Sequence, residues 1–259
     1  MRVYAIGDIH GRSDLLDQLL SRIRDDLREA PPRRHALVFL GDYVDRGPDS
    51  AGVIERLVAL SRDHKGQAVF LMGNHEEVVQ RILAGEPRLF EDWMRFGGRE
   101  CLASYGIAPE SLSGMGRETR AALIREAIPE GHRRFLDELI DTVRIGDYLF
   151  VHAGIRPGID LGDQVQSDLR WIRAPFLDDQ DTDHGAVVVH GHTVTEAVEW
   201  RGNRIGIDTG AYASGRLTAL VLEGRERRLI DTGRMAANVG TRLPESVLSA
   251  AVANHSRGY

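Results

Sequence analysis

Short apolar runs and helical periods alternate along the first third of the chain. Val3–Ile6, Ala36–Leu40 and Ala68–Leu71 are brief and continuously apolar, which predicts buried strands. Between them Leu16, Leu19, Leu20, Ile23 and Leu27 recur at helical spacing, and so do Val53, Ile54, Leu57 and Val58. Strand, helix, strand, helix, strand predicts parallel pairing through right-handed crossovers. Tyr148–Val151 and Ala186–Val189 repeat the strand pattern further along.

From about Glu77 to Thr142 the strand pattern stops. Val78, Val79, Ile82 and Leu83 predict one helix. Leu89, Phe90, Trp93 and Met94 predict a second, broken by Gly97-Gly98. Ala122, Leu123 and Ile124, then Phe135, Leu136, Leu139 and Ile140, predict two more. This segment reads as a helical insertion, a cap or side wall between two halves of one sheet system. After Asp183 the pattern turns to β again. Ala197–Trp200, Asn203–Ile207, Leu217–Leu222 and Arg227–Ile230 are short strands separated by glycine turns. One domain is expected over 1–234. A tail over 235–259 carries a weak helical stretch near Glu245–Ala253.

Composition narrows the class. With 259 residues, 42% of them hydrophobic, the chain can bury a full core without covalent staples. The single cysteine, Cys101, excludes an intramolecular disulfide and fits a reducing compartment. A motif begins by Gly7, so no signal peptide is expected, and no apolar run approaches a membrane span. A cytoplasmic protein without a membrane partner follows as the expectation. The net charge of -6 argues against a nucleic-acid partner. It leaves a phosphorylated substrate open, because bound divalent cations invert the local potential.

The chemistry lies at the ends of the apolar runs. Val3–Ile6 leads into Gly7-Asp8-Ile9-His10-Gly11, and Ala36–Leu40 into Gly41-Asp42-Tyr43-Val44-Asp45-Arg46-Gly47. Ala68–Leu71 leads through Met72 into Gly73-Asn74-His75-Glu76, Tyr148–Val151 into His152-Ala153-Gly154, and Val187–Val189 into His190-Gly191-His192-Thr193. Sites in α/β sheets form at the carboxyl ends of strands. Carboxylate, imidazole and amide oxygen without thiolate suit manganese, iron or zinc. Asp8 and His10 can reach one ion, Asp42 can bridge two, and Asn74, His152 and His192 can complete the second shell. Two such ions about 3.5–4 Å apart can acidify a water and clamp a phosphoryl oxygen. His75 stands ready as a proton donor, Asp45 can hold its tautomer, and Arg46 and Arg173 offer forks for phosphate oxygens.

These stretches resemble the phosphoprotein phosphatase family within the calcineurin-like metallophosphoesterases. The matching motifs are Gly7–Gly11, Gly41–Gly47, Gly73–Glu76, His152-Ala153-Gly154 and Gly191-His192-Thr193, with Ile207–Ala211 following as in smaller bacterial and phage members. The resemblance spans about Val3 to Leu222 and implies an α/β (α+β) fold, a β-sandwich flanked by helices. It implies a first metal on Asp8, His10 and Asp42 and a second on Asp42, Asn74, His152 and His192. It implies His75 as general acid paired with Asp45, Arg46 and Arg173 on the phosphate, and a bridging hydroxide as nucleophile. The expected activity is phosphomonoester hydrolysis, with a phosphoprotein serine/threonine substrate preferred and a dinucleoside tetraphosphate as the alternative. Manganese is the expected metal, with iron or zinc possible.

Other conspicuous residues have plainer expectations. Trp93 and Trp171 are read as packing residues, Cys101 as buried, and His190 as buried or behind the ligands. His35, His64, His132, His184 and His255 sit in polar contexts and are read as solvated. Asp208 either orients a metal-bound histidine or satisfies turn amides.

Overall fold

The computed structural model describes residues 1–32, 34–64, 66–86 and 89–233. The weak helical stretch near Glu245–Ala253, the tail and His255 lie outside the described residues.

Among the described residues, ten strands form two five-stranded sheets. The first has the order β10 (Glu226–Asp231), β9 (Thr218–Glu223), β1 (Arg2–Ile6), β2 (His35–Phe39) and β3 (Ala68–Phe70). Its β1–β2 and β2–β3 pairs are parallel, as the alternation with α1 (Ser13–Glu29) and α2 (Ser50–Asp63) predicts. The second has the order β4 (Thr142–Ile145), β5 (Tyr148–Val151), β6 (Val187–His190), β8 (Arg204–Gly206) and β7 (Glu199–Trp200). Here β5, β6 and β8 run parallel side by side.

Side chains alternate across each strand, and this alternation builds the layers. Val3, Ala5, Val38 and Leu40 point from the first sheet into a core shared with Phe150, Val189, Ile205 and Ile207 of the second. The alternate residues Tyr4, Ile6, Leu37 and Phe39 pack outward against Leu16, Leu19, Val53 and Leu57 of the helices. On the far side Leu149, Val151 and Val188 pack against Leu169, Ile172 and Phe176. The result is a β-sandwich with helices on both outer faces.

The segment 77–142 is helical through α3 (Asn74–Leu83), α4 (Phe90–Trp93), α5 (Arg99–Ser104), α6 (Arg117–Ala127) and α7 (Glu130–Asp137). Its Val79, Trp93, Leu102, Ile124 and Phe135 join the same outer core as α1 and α2. Two expectations are corrected here. The period Phe135, Leu136, Leu139, Ile140 predicts one continuous helix, but α7 ends at Asp137. Ile140 instead bridges Leu71 and exchanges hydrogen bonds with Phe70 and Met72, so sheet pairing overrides the helical period. His132 is buried, not solvated: it shares the inward face of α7 with Phe135 and Leu136 and lies between the Tyr105 hydroxyl and Glu55. His184 likewise has a buried side chain, beside Asp179.

Candidate metal centre and active site

Each sheet sets three carboxyl ends of parallel strands side by side. In the first, β1 delivers Asp8 and His10, β2 delivers Asp42, and β3 delivers Asn74 and His75. In the second, β5 delivers His152, β6 delivers His192, and β8 delivers Asp208. Stacking the sheets brings the two rows together. The backbone N–H of His192 donates to Asp8 Oδ2 at 2.9 Å, and Asn74 Oδ1 lies 2.9 Å from His192 Nδ1 and 3.0 Å from His152 Nε2.

Asp42 is the hub. One carboxylate oxygen is 3.4 Å from His10 Nε2, and the other is 3.4 Å from His152 Nε2. Four ligands about 2.1 Å from a tetrahedral ion sit about 3.4 Å from one another. His10, Asp42 and His75 bring one donor atom each within 4.8 Å of the others, and so do Asp42, His152 and His192.

The polar groups are arranged for cations rather than for one another. His10 donates Nδ1–H to Val44 O at 2.8 Å, which leaves its Nε2 lone pair free and unpartnered among the described residues. Asp8 Oδ1 and His192 Nε2 are also buried without partners. His152 faces acceptors on both sides, Leu40 O at 2.8 Å and Asn74 Oδ1 at 3.0 Å. Burial holds its imidazole below the ordinary histidine range, and in its neutral form it can donate to only one of them. A cation at Nε2 removes that conflict, and the Nδ1–H···O=C bond is the usual support of a metal-bound histidine. His192 is pushed down to about 2 by burial and then by His152, which keeps it neutral and ready to ligate.

The carboxylates tell the same story. Burial, then the charges of Asp208 and Asp42, hold Asp8 well above its ordinary value. Asp42 is buried too, but His152, His75 and His10 outweigh burial and hold it well below. A divalent ion relieves the like-charge crowding, so the residues present fit a dinuclear centre.

Backbone strain is concentrated at the same place. The non-glycine residues with left-handed backbone are His10, Asp42, Asp45, Arg46 and His192, with φ of 45°, 52°, 70°, 66° and 63°. Such conformations cost about 1–3 kcal/mol each and persist where surrounding structure fixes them. One fixing group is Glu76. Its carboxylate accepts the backbone N–H groups of Asp42, Tyr43, Val44 and Gly73 at 2.7–3.2 Å. Burial and then Asp42 push Glu76 up to about 8, against those four donors.

Beside the hub, His75 Nδ1 is 2.6 Å from Asp45 Oδ2, which fixes the tautomer and turns Nε2 toward the site. Burial opposes charge on His75, but Asp42 and Asp45 together outweigh it and raise the group to about 9. Arg46 approaches Nε2 at 3.1 Å. That contact is a hydrogen bond only when the imidazole is neutral, so an anion between the two groups suits both better than either suits the other.

Residues 1–213 match the calcineurin-like phosphoesterase family. The chain belongs to that family. Among curated relatives, it is 28% identical over 232 residues to a bis(5'-nucleosyl)-tetraphosphatase (asymmetrical) of Anoxybacillus flavithermus, covering 83% of this chain and 88% of the relative. It is 28% identical over 285 residues to a symmetrical bis(5'-nucleosyl)-tetraphosphatase of Xanthomonas campestris, covering 89% of this chain and 82% of the relative. A crystal structure assigned as a candidate diadenosine tetraphosphatase superposes with a TM-score of 0.60 at 22% identity, covering 90% of this chain and 95% of that one, which shows the shared fold.

Within this calcineurin-like phosphoesterase the structure brings Asp8, His10, Asp42, Asn74, His152 and His192 to one centre, with His75, Asp45 and Arg46 alongside. Arg173 is exposed after α8 (Gln166–Trp171), with no side-chain hydrogen bond among the described residues, and its charge is one of the influences that lower His192. His190 is buried outside the ligand groups, its Nδ1 against Gly191 O and its ring edge-on to Phe176. Asp208 satisfies the Gly210 N–H through Oδ1, while Oδ2 is unpartnered beside the centre. Trp171 is corrected: it is exposed, and its Nε1 donates to Glu77. Among the described residues, no helix is long and apolar enough to cross a membrane.

Three contributors have no sequence-level role: Glu76, Trp93 and Tyr212. Glu76 stands inside a recognised motif, and its burial next to ligands is the only available hint. Trp93 is buried as expected, but its Nε1 donates to Asp45. Tyr212 packs perpendicular to the His10 ring, centroids 5.4 Å apart, and lies under the Arg46 guanidinium at 4.8 Å.

Proposed function

We propose that this chain is a dinucleoside tetraphosphate hydrolase. The observation that carries the nucleotide reading over the phosphoprotein one is the agreement of the curated relatives. Two of them, matched over more than four fifths of this chain, bear the name of tetraphosphatases. The phosphoprotein serine/threonine substrate preferred on sequence grounds becomes the second choice, on the same site.

Asp8, His10 and Asp42 hold a first divalent metal, and Asp42, Asn74, His152 and His192 hold a second. Manganese suits this oxygen and nitrogen donor set, with iron and zinc as the other candidates. When bound, the two cations acidify a water and stabilise charge on the phosphoryl oxygens. Asp42, whose two oxygens face His10 and His152 separately, would belong to both ligand sets. Arg46 and, from the rim, Arg173 grip phosphate oxygens. Nδ1–H of His75 is held by Asp45, so its Nε2 proton goes to the departing oxygen. A phosphoanhydride leaves as a nucleotide phosphate, a better leaving group than an alkoxide, and draws less on that proton.

A side-by-side assay of diadenosine tetraphosphate and a phosphoserine peptide under manganese tests the reading. The expected result is a preference of about a hundredfold or more for the nucleotide in kcat/KM. Product analysis then fixes the cut: two diphosphates from symmetrical cleavage, or a triphosphate and a monophosphate from asymmetrical cleavage. Equal rates, or a preference for the peptide, would reject it.

A further inference from the structure

A cavity of about 790 Å³, wide open to solvent, has Arg46 in its wall. That is the size of an ordinary small-molecule pocket. Its wall is built from the turn between α4 and α5 together with Tyr212. In that turn, Met94–Gly98, the backbone leaves helical geometry at Phe96 and Gly97. Gly97 adopts φ +114°, a Cβ there would run into the Arg46 backbone, and its carbonyl accepts the Arg46 N–H at 3.2 Å. The phosphate-facing arginine and the turn are thus fixed to each other.

The turn presents Phe96 to solvent at 62% exposure, the largest value among the exposed large hydrophobic side chains of the described residues. A ring held out by a rigid turn forgoes the burial it would gain by folding inward. Tyr212 is 36% exposed on the same cavity and is tied to the centre through Arg46 and His10. Arg95 and Arg99 flank Phe96, each paired with a carboxylate, Asp92 and Glu110 respectively. Glu91 and Glu100 also line the wall, and Glu91 is paired with Arg120. The cavity therefore combines aromatic faces with the Arg46 guanidinium at its inner edge, and helices and turns supply its lining.

We propose that this cavity is a nucleoside subsite. The base of a nucleoside phosphate stacks on Phe96, with Tyr212 opposite, and its phosphate chain runs past Arg46 toward Asp42 and His75. The inference rests on the nucleotide reading above and adds where the nucleoside sits. Stacking on a ring tolerates any base, because every base has a π face, so discrimination among bases is expected to be weak. A phosphopeptide would seek backbone partners along its length, and this wall offers rings and guanidinium groups.

The test compares AMP with ribose 5-phosphate as competitive inhibitors of p-nitrophenyl phosphate hydrolysis by the manganese-loaded protein. The two share charge and chelating group and differ only by the base. AMP is expected to bind about 5- to 100-fold more tightly, the range of one base–aromatic stack. In Phe96→Ala and Phe96→Leu that ratio falls toward one, and Phe96→Trp restores it. The ratio is taken within each variant, so changes in basal turnover cancel. A wild-type ratio near one, or a ratio that survives Phe96→Ala, overturns the subsite. So does loss in Phe96→Ala of competition by a phosphoserine peptide while AMP is unaffected. A wild-type protein that prefers the peptide as substrate rejects the nucleotide reading by itself, and the AMP ratio still judges the subsite separately.

Discussion

The indole Nε1 of Trp93 donates to both carboxylate oxygens of Asp45, each at 3.0 Å. Asp45 in turn takes His75 Nδ1 at 2.6 Å, so a residue of the helical segment helps orient this imidazole at the centre. Trp93→Phe keeps the packing and removes the donor. Turnover is expected to fall about 10- to 150-fold with KM little changed, because a buried hydrogen bond to a charged group contributes about 1.5–3 kcal/mol. The unshared Asp45 charge then bears more strongly on His75, so its pKa rises. NMR titration of the ring checks this, and an unchanged value would leave Trp93 with packing alone.

His75 in the metal-free protein is expected to titrate near 9 by NMR. Its folded value lies above the unfolded one. Its contribution to stability is therefore complete below about 6.5 and is lost as pH rises through about 9. Asp45→Asn removes the acceptor charge and lowers the value. In the loaded enzyme His75→Asn is expected to lower turnover of an alkyl phosphomonoester about 10²- to 10⁴-fold while phosphate binds nearly as before. Unchanged turnover would remove His75 from the acid role.

Asp8→Asn keeps an acceptor for the His192 N–H and discards a charge crowded by Asp208 and Asp42. An acid held above its ordinary value costs stability when it ionises, so the metal-free wild type weakens as pH rises through the Asp8 range. The metal-free variant is expected to melt a few degrees higher than wild type, about 1 kcal/mol for a chain of this size. Manganese at 100 times its Kd adds about 2.7 kcal/mol to the wild type, and the variant loses most of that gain. Calorimetry with and without the ion, after chelator treatment, reads both effects.

Glu76→Ala strips the acceptor from four backbone N–H groups around Asp42. Leaving buried donors unsatisfied costs about 1–3 kcal/mol each before relaxation. A loss of roughly 3–5 kcal/mol is expected by urea unfolding, comparable to breaking a buried charge pair. Metal affinity should fall as well, because the left-handed turn at Asp42 loses its clamp. Glu76→Gln, with one acceptor oxygen, should fall between the two. A wild-type midpoint in Glu76→Ala would sink this account.

Much of the centre was legible because its donor residues lie within a few residues of strand ends. Asp8, His10, Asp42, Asn74, His152 and His192 each follow an apolar run, and parallel neighbours must set those ends side by side. Glu76 was not legible as a clamp, since its partners are backbone N–H groups of another motif and carry no residue-type signal. Trp93 was read as packing because apolar spacing reports burial but not where an indole N–H points. His132 and Ile140 misled for a related reason. A polar neighbourhood in sequence does not fix which face of a short helix turns inward, and a helical period yields to sheet pairing when a strand passes alongside.

By itself, the sequence determined the strand–helix alternation, the donor set at the strand ends and therefore the metal-dependent class of chemistry. These follow from local periodicity and from side-chain types, which neighbouring residues specify. The tertiary structure decided what depends on contacts between distant segments. It set two rows of strand ends face to face and gave His152 an acceptor on each nitrogen. It tied Asp45 to Trp93, and it hung Phe96 and Tyr212 around a cavity beside Arg46. Such relations join residues that no local pattern couples, so only the packing of the two sheets and the helical segment could fix them.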